Sequence, residues 1–147
     1  MKKTTINVLV VIALFSGIMF TSCLKSKNEV TPAPKITGTF DGTLKKLKKN
    51  MTSGKFDTVF KFGFAVRMKA DSGFTATSDS TLHSNSHGKF ANDYSYIQFD
   101  DATYASSSTK LFLHGVYIYS FDGTRLQFLA SKGDTVAYFY DLKKISN

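Results

Sequence analysis

Histidine, aspartate, tyrosine and one cysteine are the side chains of this 147-residue chain whose spacing first suggests chemistry. His83 and His87 lie four apart, the spacing that puts two imidazoles on one helix face for a metal, with Asp79 or Asp93 as a third ligand. Leu82 to Gly88 is a poor helix, however, so the pair reads as solvated loop histidines. His114 sits inside an apolar run and reads as a satisfied core histidine, with a pocket-lining role as the alternative. Asp100 and Asp101 are adjacent, so on a strand they point to opposite faces and cannot cooperate as a general acid and base. They read as turn residues. No Gly-x-Ser-x-Gly elbow, His-Glu-x-x-His helix or phosphate-cradling loop occurs, so neither catalytic machinery, metal nor cofactor is expected.

The tyrosines carry a different suggestion. All seven fall in the second half of the chain, and Tyr117 with Tyr119, and Tyr138 with Tyr140, are same-face pairs on a strand. Each ring offers an apolar body with a hydrogen-bonding tip, suited either to ordinary packing or to holding something amphipathic. Together with His114 these four form the candidate ligand-binding set.

Cys23 is the only cysteine, which excludes an intrachain disulfide. It follows Met1-Lys2-Lys3, a nearly unbroken apolar run from Ile6 to Phe20, and Phe20-Thr21-Ser22. A positive start, a short apolar core and small residues make a signal peptide. The junction resembles the lipobox of bacterial lipoproteins, in the looser form of Bacteroidota. The resemblance implies cleavage after residue 22, a diacylated Cys23 thiol and an acylated new amine, hence stable membrane tethering without a span. An uncleaved anchor helix is the alternative. Residues 24–35 hold two prolines and few apolar side chains and read as a flexible tether reaching about 40 Å at full stretch. Lys25 and Lys27 stand where surface-exported lipoproteins of that group resemble one another in an acidic run. That favours the periplasmic side of the outer membrane over the cell surface.

Formal net charge is +8, unevenly placed: residues 24–69 carry eleven basic residues against Glu29, Asp41 and Asp57. Such a front half would attract polyanions, but export makes nucleic acid an unsuitable partner. The lysines read mainly as solvated surface.

Abundant Thr, Phe, Tyr and Gly without a sustained helical period point to an all-β domain over residues 36–147. Phe56, Phe60, Phe62, Phe64, Val66 and Met68 share one parity, the mark of a long strand with one face in a core. Residues 43–49 read as an exposed, bulged strand whose lysines discourage edge pairing. Residues 110–121 are apolar on both parities, as in a strand buried on two sides or facing a partner. Asp41-Gly42, Asp71-Ser72-Gly73, Asp122-Gly123 and Lys132-Gly133-Asp134 read as turns. Phe-Asp-Gly-Thr, found at both 40–43 and 121–124, reads as one turn chemistry used twice. Seven or eight strands so joined make an antiparallel up-and-down barrel, with an Ig-like β-sandwich as the alternative.

Gly38-Thr39-Phe40, Leu113-His114-Gly115-Val116-Tyr117 and Tyr138-Phe139-Tyr140-Asp141-Leu142 resemble the small lipocalin-like (calycin) domains of Bacteroidota lipoproteins. Phe40 stands where lipocalins carry Trp. The resemblance implies a barrel that takes a small apolar or amphipathic ligand without catalysis; an envelope protein-interaction module is the competing expectation.

Overall fold

The computed structural model describes residues 32–147. Cys23, the leader and most of the tether lie outside them. Eight strands follow in chain order: β1 (Gly38–Lys49), β2 (Phe56–Met68), β3 (Gly73–Ser78), β4 (Ser86–Asn92), β5 (Tyr96–Asp101), β6 (Gly115–Phe121), β7 (Arg125–Lys132) and β8 (Val136–Ser146). Each pairs antiparallel with the next, and β1 also pairs with β8, closing an up-and-down barrel. A sandwich would leave sheet edges; closure supplies β1 with a partner on each side.

Rings fill the interior. Phe40, Phe64, Phe74, Phe99, Phe128 and Tyr140 are all fully buried, and each such side chain contributes roughly 1.5–3 kcal/mol relative to exposure. Phe128 stacks on Tyr140 at 4.3 Å, and Phe64 meets Tyr140 edge-on at 4.9 Å.

Several expectations are corrected by the register. Asp41-Gly42 is no turn: β1 runs straight through it, with Gly42 opposite Phe64 on one side and Leu142 on the other. A Cβ on Gly42 would strike the Asp141 carbonyl oxygen and come within 2.9 Å of the Leu142 Cα, so the glycine permits a close approach of strands. The register shifts between Lys46 and Leu47, but the extra residue is Val59 of β2, so the bulge expected in residues 43–49 sits on the partner strand. There β1 itself pairs without a break against β8 and has neither edge free. Lys46 faces Phe60, whereas Lys49 faces Phe56, so the two phenylalanines lie on opposite sheet faces despite equal parity. Phe64, Val66 and Met68 are core, but Phe56 is 51 % exposed.

The run 110–121 is broken at Gly115, whose φ of 107° suits only glycine, and β6 starts there. Leu113, Tyr117 and Tyr119 point inward while Val116 and Ile118 are 57 % and 59 % exposed, so β6 is one-sided. Its edges are taken by β5 and β7.

Candidate functional site

The ends of the barrel differ. Residues 32–37 lead into β1 at one end, where the Asn92 side-chain amide donates to the Pro34 carbonyl (3.1 Å) and to the Tyr119 hydroxyl (3.0 Å). Tyr119 in turn donates to the Asp93 carbonyl at 2.6 Å. Tyr119, expected among the ligand residues, therefore fastens the incoming chain to β4 and β6. Burial pushes its hydroxyl pKa up.

The other end holds a cavity of about 350 Å³ between the segment joining β5 to β6 and the neighbouring parts of β7 and β8. His114, Tyr117, Tyr138 and Tyr140 all line it. Four of the five expected residues thus converge, because β6 and β8 both pack around Phe128 of β7: Tyr117 edge-on at 5.4 Å, Tyr140 stacked. Leu111 and Phe112 complete an apolar wall; Ser106, Ser108 and Ser131 add hydroxyls, and Lys110 and Lys132 add charge. The volume lies at the small end of the usual ligand-pocket range of about 300–1,000 Å³.

His114 is exposed, not a core histidine. Tyr104 lies flat on it, ring centroids 4.1 Å apart and 7° from parallel. The Asp101 backbone N–H donates to His114 Nδ1 at 3.3 Å, which leaves the proton of the neutral ring on Nε2. Tyr117 donates to the His114 carbonyl at 3.3 Å, and burial raises its phenol to about 12. Tyr140, fully buried, is pushed well above the usual phenol range by the same cause, with Tyr117 beside it adding to the effect. Both phenols stay protonated at neutral pH, each with its one O–H engaged inside the protein.

Behind the cavity lies a polar cluster that the sequence placed on the surface. His83 is only 3 % exposed. Its Nδ1–H donates to the Ser84 carbonyl at 2.6 Å, so Nε2 accepts from the Tyr140 hydroxyl at 3.4 Å. A parallel bridge to Leu111 and edge contact with Phe64 at 4.9 Å draw this loop residue inside. Burial holds the His83 pKa below its ordinary value, against the opposing pull of the Ser84 carbonyl and the Asp101 charge. Asp101 is 4 % exposed. It ends β5 instead of occupying a turn, with Asp100 on the outer face as strand alternation requires. Its Oδ1 accepts from the Thr103 N–H (2.8 Å) and hydroxyl (2.6 Å), while Oδ2 has no partner among the described residues.

His87, on β4 opposite Thr75, is exposed. Asp93 is spent on a turn, its Oδ1 accepting from the N–H groups of Ser95 and Tyr96, each at 2.7 Å. Among the described residues no group of three or more His, Cys, Asp or Glu is placed to share a metal ion. Sequence reasoning missed Tyr104, Phe112, Lys110 and Lys132; the Tyr104–Phe112–His114 grouping had no periodic signal, since it arises from a loop folding back on itself.

Fold and site together define a closed eight-stranded up-and-down barrel with a filled interior and a tyrosine-lined cavity at the end away from residues 32–37. In comparisons with known proteins the chain matches no family model, no curated protein and no solved structure.

Proposed function

We propose that this chain is a lipocalin-like, membrane-tethered lipoprotein whose barrel binds a small amphipathic ligand without catalysis. The observation that carries the reading is the meeting of His114, Tyr117, Tyr138 and Tyr140 around one cavity of about 350 Å³. The Tyr117 and Tyr140 protons are spent on the His114 carbonyl and on His83 Nε2, so these two phenols present acceptor oxygens, while Leu111 and Phe112 supply apolar surface, the mixture that orients an amphiphile. Native mass spectrometry of protein purified without detergent tests the reading. A co-purifying species lost on Tyr138→Ala supports it; a bare protein mass that no added amphiphile shifts overturns it.

The lipid anchor at Cys23 places the protein on the outer membrane, facing the periplasm in this reading. Radiolabelled palmitate should enter the wild-type chain and not Cys23→Ser, and the variant should leave the membrane fraction; an unlabelled wild type sinks the anchor.

A second reading, an envelope protein-interaction module, is favoured by the outer face of β5 and β6. Tyr96 and Ile118 are directly opposed there, with Val116 nearby, all exposed. With both edges of β6 paired, a partner would pack on this face instead of adding a strand. Crosslinking in intact cells separates the readings: a specific partner lost on Ile118→Lys but kept on Tyr138→Ala supports the second.

A further inference from the structure

We propose that the ligand of this cavity carries an anionic head held between Lys110 and Lys132, with its apolar part against Leu111, Phe112 and Tyr138. The inference rests on the ligand-binding reading above and adds the sign of the ligand's charge.

The lining contains both lysines and His114 but no aspartate or glutamate. Ion pairs among the described residues are Lys89 with Asp71 and Arg125 with Asp141, so neither cavity lysine is matched to a carboxylate there. The acid behind the wall, Asp101, is turned to Thr103 and reaches His114 through its backbone. Serine and tyrosine hydroxyls in the lining suit a neutral or a charged head alike; the two lysines decide between them.

The surroundings repeat the sign. β1, β2 and β8 extend at this end, and the Lys49 N–H donates to the Thr135 carbonyl beside the β7–β8 turn. Lys46 lies opposite Tyr138 in the β1–β8 register and therefore on the same inward face. Its Nζ sits 5.8 Å from the Phe60 ring centroid. Lys132 is opposite Val136 on the next pair, so Lys46 and Lys132 flank Tyr138 from two strands. Lys48, Lys49 and Lys55 follow on the same hairpin, against Asp57 there and Asp134 in the turn. Such a rim concentrates anions and speeds their capture, increasingly so at low salt. Lys46, Lys48, Lys49 and Lys55 of the basic front half thus lie at this end of the barrel, whereas Lys35, Arg67 and Lys69 lie at the other.

Matched probes test this: octanoate against octanol, and naphthoate against naphthalenemethanol, titrated into the full chain by calorimetry at low and high salt. Exposed lysines each strengthen binding by up to about fivefold, so the acids should bind about three- to tenfold tighter than the alcohols at low salt. High salt should shrink that preference, and Lys110→Gln with Lys132→Gln should bring the acids down to the alcohols. Both lysines are exposed, so the double variant keeps its fold. Equal affinity for acid and alcohol overturns the anionic head and leaves the amphiphile reading standing. A preference that survives the double substitution also overturns it, since the head then sits elsewhere. If none of the four probes binds, both readings fall together.

Discussion

The ring of Tyr104 lies flat against that of His114, 4.1 Å between centroids. The stack, with Phe112 edge-on to Tyr104 at 5.6 Å, closes the cavity with a segment outside any strand. Removing it should loosen the segment without unfolding the barrel. Tyr104→Ala is expected to cost about 0.5–1.5 kcal/mol, read by urea unfolding, and to speed amide exchange selectively over residues 104–114. Uniform acceleration around the barrel would mean the stack supports the whole fold.

The Tyr140 hydroxyl is the donor that satisfies His83 Nε2. Tyr140→Phe keeps the stack on Phe128 but leaves a buried acceptor unpaired, which should cost about 1–3 kcal/mol. A denaturation midpoint equal to wild type would show that solvent or another group reaches His83.

His83 also sets a pH dependence. Unfolded, it takes a proton near its ordinary 6.5; in the fold, burial lowers that value. Between the two values the unfolded chain holds more protons. Stability is therefore full above about pH 6.5, falls as pH drops through the window, and levels off below the folded value. The aspartates held low by turn and ion-pair bonds, Asp71, Asp93, Asp122 and Asp141, act only below their ordinary 3.8, in a separate window. Unfolding free energies between about pH 7.5 and about pH 5 should slope downward in the wild type. His83→Gln should flatten the slope; an unchanged slope would assign it to another group.

Gly42→Ala should be far more costly than its single methyl suggests. The new Cβ meets backbone of β8, which cannot rotate away. A penalty of about 1–3 kcal/mol is expected, as for overpacking, with β1–β8 amides exchanging fastest. Gly123→Ala, where a Cβ meets nothing within 4 Å, should cost less, through its positive φ of 94° alone.

Phe128→Ala removes the ring touching Tyr117, Tyr140 and Phe99 together. A loss of about 3–5 kcal/mol follows from the cavity left behind, measurable as a fall in thermal midpoint. A near-neutral result would show that the interior collapses around the gap.

Much of the barrel was legible because strands write one face in every second residue. Phe64, Val66 and Met68, Leu126 and Phe128, and Tyr138 to Leu142 were each assigned the correct parity. Phe56 was not, since a bulge slips the register by one and leaves no mark on residue type. Nothing in the sequence marks His83 as buried, because a Ser- and Asn-rich loop has no periodicity. Its burial follows from a bridge to Leu111, nearly thirty residues on. The cavity was half legible: same-face tyrosines were visible, but their meeting with His114, and the loss of Tyr119 to the opposite end, depend on strand ends no single segment encodes.

Phe-Asp-Gly-Thr marks the boundary between what the chain decided alone and what the fold decided. At 121–124 it makes the expected turn: Asp122 Oδ1 accepts from the N–H groups of Thr124 (2.8 Å) and Arg125 (2.7 Å), and Gly123 takes positive φ. At 40–43 the same four residues lie extended, because β2 and β8 offer partners to both edges. Local chemistry, alternation, turn residues and charge by themselves determined an all-β chain with a hairpin meander and a basic front half. Closure, register, the buried His83 and the tyrosine-lined cavity came from tertiary pairing, since hydrogen bonds between distant strands outweigh a turn preference worth about one kcal/mol.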